Sequence, residues 1–374
     1  MTWAVWITGL PGSGKSTIAR AAAAELAARG RPALVLELDA LRRLLTPEPT
    51  YSAPEREVVY RALVAMAVTL VETGVPVIID ATGHRRAWRD LARARLGNFA
   101  EVQVRCPLAL CQAREQARPP GHAPPGIYAH AGRPGATVPG VDVAYEEARA
   151  PELIVDSAVE EPSAAAARIA RLVEAWPGAA ASTGAGWVLW ITGLPGSGKT
   201  TLAARATERL VRDGLAARRL SWADFLDAAG LAGPRSDWQD DVLHRALAVT
   251  AALMAGAGRR VVVDAAAPRR RWRDLARRLI LWFAEVQLRC PRATCVEREI
   301  RGRWLATATP SAAGPDILAT YEEAVAPELT LDTDVREVGI CVQEVVRLAW
   351  RLERAAAGRI PVPDVGGLGA SGPR

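Results

Sequence analysis

The chain has 374 residues, of which 50% are hydrophobic and 24% charged, with a formal net charge of +6. Such a composition builds ordinary cores, and no run approaches the roughly 18 consecutive apolar residues of a membrane-spanning helix, so a membrane role is excluded from the reading. The basic excess raises nucleic acid as a partner, but arginines and carboxylates interleave, as in Arg-Ala-Trp-Arg-Asp from Arg86 to Asp90 and Arg-Arg-Trp-Arg-Asp from Arg270 to Asp274; this pattern predicts solvated helix faces, not a basic stripe.

In chain order, apolar runs predict strands at Ala4–Thr8, Ala33–Leu38, Val75–Asp80, Glu101–Arg105 and Leu153–Val155. Helical periodicity falls between them at Ser16–Ala28, Pro54–Glu72, Arg86–Leu96 and Leu108–Gln116, with an alanine-rich helix from Ala164 to Trp176. Continuous apolar strands separated by amphipathic helices predict an α/β fold with a parallel sheet covered by helices on both faces. Ligands of such sheets lie beyond the strand C-terminal ends. Met1-Thr-Trp runs straight into the first strand with no charged leader or cleavage pattern, which predicts a cytoplasmic protein.

The pattern then recurs. Residues match at a constant offset of 184 from Gly9/Gly193 through Asp80/Asp264, Glu101/Glu285 and Cys106/Cys290 to Arg114/Arg298, and at 176 from Tyr145/Tyr321 and Pro151/Pro327. A period this long is a duplicated domain, because solenoid repeats run to only about 20–50 residues. The expected organisation is one domain over 1–176, a Pro/Gly/Ala/Ser-rich linker over 177–186, a second domain over 187–357 closing with a helix near Val342 to Ala355, and a disordered tail over 358–374. Cysteines 106, 111, 290 and 295 recur as Cys-x-x-x-x-Cys with Cys341 left over; the spacing fits no zinc signature, and packed small side chains are expected.

Lysine occurs only at Lys15 and Lys199, while the other 45 of the 47 basic residues are arginine. Each lysine sits in Gly-Leu-Pro-Gly-Ser-Gly-Lys-Ser/Thr-Thr, after an apolar strand and before a helix: a phosphate-binding loop. Gly9, Gly12, Ser13, Gly14, Lys15, Ser16 and Thr17 in the first copy, and Gly193, Gly196, Ser197, Gly198, Lys199, Thr200 and Thr201 in the second, are the expected ATP contacts. Glycines let backbone amides turn inward around phosphate oxygens, the helix N-terminus adds a positive field, and the ammonium bridges the outer phosphoryl groups. The Ser16 and Thr200 hydroxyls are the expected Mg²⁺ ligands.

Asp39, at the end of the second strand, is read either as a helix N-cap or as a catalytic carboxylate that holds Mg²⁺ water or takes the proton from an attacking hydroxyl. Arg42, one helical turn on, would face an anionic acceptor. Asp80 ends the third strand and is the other catalytic candidate beside Lys15.

With Asp39-x-x-Arg42, Tyr51-Ser52 followed by Arg56 and Arg61, Phe99-x-Glu101-Val, Cys111-x-x-Arg114, Gly126-Ile127-Tyr128, Gly140-Val-Asp142, Tyr145-Glu-Glu-Ala and Pro151-Glu-Leu, the chain resembles the adenylyl-sulfate kinases over about residues 3–156, and more loosely over 187–333. The resemblance implies transfer of the ATP γ-phosphoryl to the 3′-hydroxyl of adenylyl sulfate, with Mg²⁺. It places Asp39 on the catalytic carboxylate, Arg42 and Arg56 on the phosphosulfate, Tyr51 against the acceptor adenine, Arg114 near the ATP base, and Ile127 and Tyr128 in a mobile lid. Departures are Pro125 for the lid lysine, Val59 for an asparagine, Gly83 for the serine of an Ile-Ser-Pro segment, and Asp80 for a small residue.

In the second copy Asp224 and Asp264 read as retained, while Asp227 for Arg42, Asp240 for Arg56, Arg235 for Tyr51 and Arg303-Trp304 for Ile127-Tyr128 dismantle the acceptor side. ATP and adenylyl sulfate, or another small anionic acceptor, are the expected partners, with nucleic acid disfavoured and either pairing of the two domains or a homodimer open. Two alternatives stay open beside the favoured one: a phosphate-loop kinase acting on another hydroxyl (a sugar, a nucleotide or a nucleic-acid end), and a nucleotide-binding scaffold without transfer.

Overall fold

The computed structural model describes residues 2–118, 126–133, 135–179, 184–231, 233–305 and 321–358. Pro125 and the residues after Gly358 lie outside them, as do the side chains of Arg303 and Trp304. The chain divides into two compact units, Met1–Ala181 with Trp222–Thr250, and Ser182–Ser221 with Ala251–Arg374. The segment Trp222–Thr250 belongs by sequence to the second copy yet groups with the first unit.

In the first unit, β1 (Ala4–Thr8), β2 (Leu34–Glu37), β3 (Val77–Asp80), β4 (Phe99–Arg105) and β5 (Leu153–Asp156) form one sheet of order β2-β3-β1-β4-β5. Every pairing is parallel, with Ile7 opposite Asp80 and Glu37 opposite Asp80 on its other side. Central β1 is buried along its whole length, so both faces of the strand are apolar. Trp3, Val5 and Ile7 pack with Ile18, Ala22 and Leu26 of α1 (Lys15–Ala28) and with Ala166 and Ile169 of α6 (Pro162–Leu172). On the opposite face Trp6 stacks on Tyr60 of α3 (Ala53–Glu72) with ring centroids 6.4 Å apart, and Tyr60 stacks on Trp88 of α4 (Arg86–Arg95) at 4.0 Å.

Helix α3 begins where Ser52 accepts the Glu55 amide as N-cap and Pro54 occupies the first turn, where no amide donor is required. It is buried on nearly every side, from Val58 to Val71, because Trp222–Thr250 covers the face turned away from the sheet. Arg61 Nη1 donates to the carbonyls of Ala229 (3.2 Å) and Gly230 (3.1 Å) at the end of α8 (Trp222–Ala228).

The predicted elements are matched within a few residues, with one substantive difference. The second strand stops at Glu37, which is the N-cap of a helix absent from the prediction, α2 (Leu38–Leu45). Asp39 is therefore in a helical first turn, and the capping role falls to its neighbour two residues back.

The second unit repeats the plan with β6 (Trp187–Gly193), β7 (Ala217–Ser221), β8 (Arg260–Asp264), β9 (Phe283–Arg289) and β10 (Leu329–Asp332) in the order β10-β9-β6-β8-β7, again all parallel. Its core packs Leu189 and Ile191 against Leu202 and Ala206 of α7 (Lys199–Arg212) and Val345 and Ala349 of α12 (Val338–Ala357). The cysteines are free thiols; Cys111, Cys295 and Cys341 are buried, as packed small side chains. Among the described residues, no helix is long and apolar enough to cross a membrane.

The arginines of α4 do not all form a solvated face as expected. Arg89 is fully buried, and its Nε lies 2.8 Å from a carboxylate oxygen of Glu101 on β4. Nη1 donates to Thr8 Oγ1 (3.2 Å) and the Gly83 carbonyl (2.9 Å), and Nη2 to the Glu146 carbonyl. In the second unit Arg273 is likewise buried and bonds Glu285 at 2.7 Å.

Candidate phosphate and acceptor site

The loop after β1 is shaped by two close approaches. A Cβ on Gly9 would lie 2.6 Å from the Val104 carbonyl oxygen, and one on Gly12, where φ is +76°, would lie 2.3 Å from the carbonyl oxygen of Cys111. Only glycine tolerates both the contact and the left-handed backbone. The loop then runs into α1 through Gly14, the N-cap. Beyond it lie the Ser16 side chain, partly exposed, and Thr17, exposed at the helix start. Ser13 is buried and its Oγ has no partner among the described residues, as suits a hydroxyl waiting for a ligand oxygen.

Lys15 Nζ donates to the Leu10 carbonyl at 2.8 Å, so the ammonium is held across its own loop. Burial pushes its pKa down, while Asp80 and Asp39 both act to raise it, which places the two strand-end carboxylates around one cation. Asp80 is 5% exposed and its carboxyl is raised to about 6, chiefly by burial, against Lys15 and a hydrogen bond from Ser16. Asp39 is partly exposed and also raised, again by desolvation first, with Lys15 and Arg42 opposing. The expected Mg²⁺ ligand and the third-strand aspartate are thus hydrogen-bonded together beside the loop. Among the described residues no cluster of three or more His, Cys, Asp or Glu side chains could hold an ion alone. Ser16 and Asp80 fit Mg²⁺ as part of a shell completed by phosphate oxygens and water.

Arg42, Tyr51 and Arg56 come together, but in a way their spacing does not announce. Arg42 is 4% exposed and its Nη1 is 2.7 Å from Glu55, so it arrives already paired. Its guanidinium lies 4.9 Å from the centre of the Tyr51 ring, and that of Arg56 lies 5.8 Å from it. Tyr51 has φ +53°, a left-handed conformation costly for a bulky side chain. It is pinned there because its carbonyl accepts Arg56 Nε at 2.9 Å and Thr137 Oγ1 at 3.0 Å, and Thr137 in turn accepts Arg56 Nη2 at 3.1 Å. Next to this cluster a cavity of about 260 Å³ is lined by Arg56, His84, Arg85, Thr137 and Glu146. Burial and the two arginines push His84 down to about 4, so it is neutral.

The remaining predicted contacts lie on the nucleotide side. Arg114, on α5 (Leu108–Gln116), donates from Nη1 to Ser157 Oγ at 3.1 Å and from Nη2 to the Ser157 carbonyl at 2.8 Å, at the rim of the loop beside Gly14. Ile127 and Tyr128 open a short 3₁₀ turn, Ile127–His130. The Ile127 amide donates to Glu115 and the Tyr128 hydroxyl to the Pro11 carbonyl at 2.8 Å, so this segment rests on the phosphate loop itself.

Sequence reasoning missed Glu55, Thr137, Ser157 and Arg118, whose charge bears on both Lys15 and Asp39. Arg89 was missed as well, although it and Glu101 both recur at the 184 offset.

In the second unit the loop is intact. Lys199 Nζ donates to the Leu194 carbonyl at 2.8 Å, a Cβ on Gly196 would meet the Cys295 carbonyl oxygen at 2.2 Å, and Ser197 is buried with an unpartnered Oγ. Gly193 and Gly198 keep their left-handed φ, and Thr200 and Thr201 are exposed at the start of α7. Lys199 is lowered to about 8 by burial.

The expected equivalence of Asp224 with Asp39 does not survive the register. Glu37 pairs with Asp80 as Ser221 pairs with Asp264, and both following helices start one residue later, so Ala223 stands where Asp39 does and Asp224 is one position on. One residue is about 100° of helix rotation. Likewise Leu226, not Asp227, corresponds to Arg42; Asp227 is exposed and pairs with Arg95 at 2.6 Å. Arg235, in Tyr51's place, is taken up by Asp240 at 2.6 Å.

The family model described as adenylylsulphate kinase matches residues 1–156 and 185–332. A probable adenylyl-sulfate kinase of Archaeoglobus fulgidus is 37% identical over 160 residues, covering 42% of this chain and 97% of that protein. The adenylyl-sulfate kinase of Bacillus velezensis is 39% identical over 158 residues, covering 41% of this chain and 75% of that protein. Among solved structures, the Mycobacterium tuberculosis APS kinase in complex with AMPPNP and APS matches with 28% identity and a TM-score of 0.39, covering 44% of this chain and 98% of that one.

Proposed function

This chain belongs to the adenylylsulphate kinase family, and we propose that its first unit transfers the γ-phosphoryl group of ATP to the 3′-hydroxyl of adenylyl sulfate. The observation that carries the reading is the meeting, beyond the ends of β1, β2 and β3, of a buried ammonium with two carboxylates of raised pKa. Beside Asp39 stands the Arg42–Tyr51–Arg56 cluster, with the guanidiniums over the ring of Tyr51, whose backbone is left-handed.

In this mechanism the inward amides of Gly12 to Lys15 hold the β-phosphate, and Lys15 follows charge from the γ-phosphoryl onto the leaving oxygen. Mg²⁺ bound with ATP would supply charge neutralisation at the phosphate oxygens. Ser16 and Asp80 are the protein's contribution to its shell. Asp39 accepts the proton of the acceptor hydroxyl as that oxygen bonds to the γ-phosphorus and the bond to the ADP oxygen breaks. Its raised pKa suits the role, because a stronger base than an ordinary aspartate accepts the proton with more driving force. Tyr51 offers a π face to the acceptor base, and Arg42 and Arg56 offer forked donors to its oxyanions. Arg114 flanks the nucleotide, and Ile127 and Tyr128 close over the loop.

The test is ADP release by the purified protein with ATP and Mg²⁺ against a panel of acceptors: adenylyl sulfate, sugars, nucleosides and nucleic-acid ends. Highest kcat/KM with adenylyl sulfate supports the reading. A better acceptor elsewhere in the panel transfers the proposal to that hydroxyl, and ADP release independent of every acceptor removes it. Lys15→Ala abolishes this turnover and Lys199→Ala retains it.

A further inference from the structure

The segment Trp222–Thr250 comes from the second copy by sequence, yet it is part of the first unit, where it covers α3. It holds α8 and most of α9 (Asp237–Gly256), the counterparts of α2 and α3 at the offset of 184. The two helix pairs grip each other through equivalent residues. Arg61 on α3 bonds Glu57 one turn back at 2.6 Å and donates Nη1 to the carbonyls of Ala229 (3.2 Å) and Gly230 (3.1 Å), just beyond the end of α8. Arg245 on α9 is its counterpart: it bonds Asp241, the counterpart of Glu57, at 2.7 Å and donates Nη1 to the Leu44 carbonyl at 3.3 Å, in the last turn of α2.

Contacts in which each side gives the other the same arginine mark an isologous seam. The last carbonyls of a helix have no donor within it, and a cation there both satisfies an oxygen and opposes the negative end of the helix dipole. The seam is closely fitted. A Cβ on Gly230, where φ is +62°, would lie 2.9 Å from Arg61 Nη1, and Arg95, the last residue of α4, pairs with Asp227 at 2.6 Å.

The contacts are reciprocal, but their consequences are not. Helix α2 carries Asp39 in its first turn and buried Arg42 three residues on, whereas α8 has Ala223 and Leu226 at those positions. With eight residues α2 is too short to be stable alone. Its start is fixed by Glu37 at the end of β2, its middle by the Arg42–Glu55 pair and its end by Arg245. We propose that Arg245 is a positioning residue of the first unit, through which the second copy seats the helix that presents Asp39 and Arg42. The roles of Asp39 and Arg42 rest on the function proposed above; the seating of α2 does not.

The test compares Arg245→Ala with Arg61→Ala in the full chain, because the two remove the same kind of contact from opposite sides of one seam. Amide hydrogen exchange needs no acceptor: Arg245→Ala speeds exchange at Arg42 to Thr46 by about tenfold and leaves Leu226 to Gly230 within about twofold, and Arg61→Ala does the reverse. Turnover of adenylyl sulfate separates positioning from general loosening. Arg245→Ala lowers kcat by about tenfold with the KM for ATP within about twofold, Arg61→Ala keeps kcat within about threefold, and Arg245→Lys, which retains a donor, recovers most of the loss. Thermal unfolding checks that the variants fold, and Arg245→Gln replaces the alanine variant if it does not. Unchanged exchange in α2 on loss of Arg245, or equal losses of kcat in the two alanine variants, overturns the proposal. An unmutated chain that does not turn over adenylyl sulfate overturns the acceptor reading alone, and exchange still decides the seating of α2.

Discussion

Replacing Arg89 by methionine removes a guanidinium that no water reaches, and the consequence follows from what it leaves behind. Glu101, 5% exposed, loses its partner at 2.8 Å, and the carbonyls of Gly83 and Glu146 lose their donors. Breaking a buried pair from one side costs about 3–5 kcal/mol, which at this unit size lowers the melting temperature by roughly 10 °C. The loss depends on pH in a stated direction. Glu101 already sits above the ordinary glutamate value of 4.5, because burial outweighs Arg89 and Arg93. Without Arg89 it rises further, so the native state binds a proton that the unfolded chain has released. Stability then falls as pH climbs from the unfolded value through the folded one, and the deficit is smaller at pH 5 than at pH 8. The additional change Glu101→Leu recovers part of the loss, since replacing a whole buried pair is often close to neutral. Scanning calorimetry of the single and double variants at both pH values measures this, with Arg273→Met giving the same effect in the second unit. A deficit under about 1 kcal/mol, or one indifferent to pH, would show that the pair is not desolvated as described.

Gly12→Ala must move the Cys111 carbonyl from 2.3 Å and strain a backbone at φ +76°; nucleotide affinity by calorimetry is expected to fall at least about tenfold. Asp39→Asn lowers kcat by about 10²–10⁴ and removes the acid limb of the pH–rate profile. In the unmutated protein that limb lies above the 3.8 of a free aspartate, because the raised carboxyl becomes a base only as pH passes its folded pKa. For Asp80, raised to about 6, the ligand-free protein loses stability between pH 4 and 6, as the native state keeps a proton the unfolded chain has shed. Asp80→Asn abolishes that fall in a melting series and shrinks the stabilisation that Mg²⁺ and ATP together confer.

The strands and long helices were legible because a buried parallel strand and an amphipathic helix each write their period locally. Ala4–Thr8 and Leu108–Gln116 match the prediction residue for residue. Helix α2 was not legible: Leu38 continues the apolar run of β2, and the change from extended to helical backbone at Glu37 leaves no proline or glycine to mark it. That omission moved Asp39 from strand end to helical turn, whereas Ala223 as its counterpart follows already from the constant offset of 184. The phosphate loop was legible in full, since its glycines answer to contacts within a few residues of sequence and to one helix end. The pairing of Arg42 was not legible, because Glu55 is thirteen positions away and the pair closes only when α3 packs beside α2. Arg89 reads as a surface residue in any local window, and its burial depends on a carboxylate from a different strand.

The two copies separate what the fold requires from what the chemistry requires. Arg89, Glu101, Tyr145 and Thr8 recur as Arg273, Glu285, Tyr321 and Thr192, with the Thr–Tyr hydroxyl contact at 2.9 Å in one unit and 3.0 Å in the other. This network ties the end of the central strand to the segment that carries Tyr145 or Tyr321, so losing any member leaves a buried polar group unsatisfied. Around the loops the copies differ, at Val35 and Arg219, Glu37 and Ser221, and Asp39 and Ala223, although Val35 packs on its core and Ser221 is buried. Glycine spacing is retained in both, as an amide cradle serves any polyphosphate. The loop glycines and the buried Arg–Glu and Thr–Tyr contacts are thus kept in both copies, while the charged side chains around the loops differ.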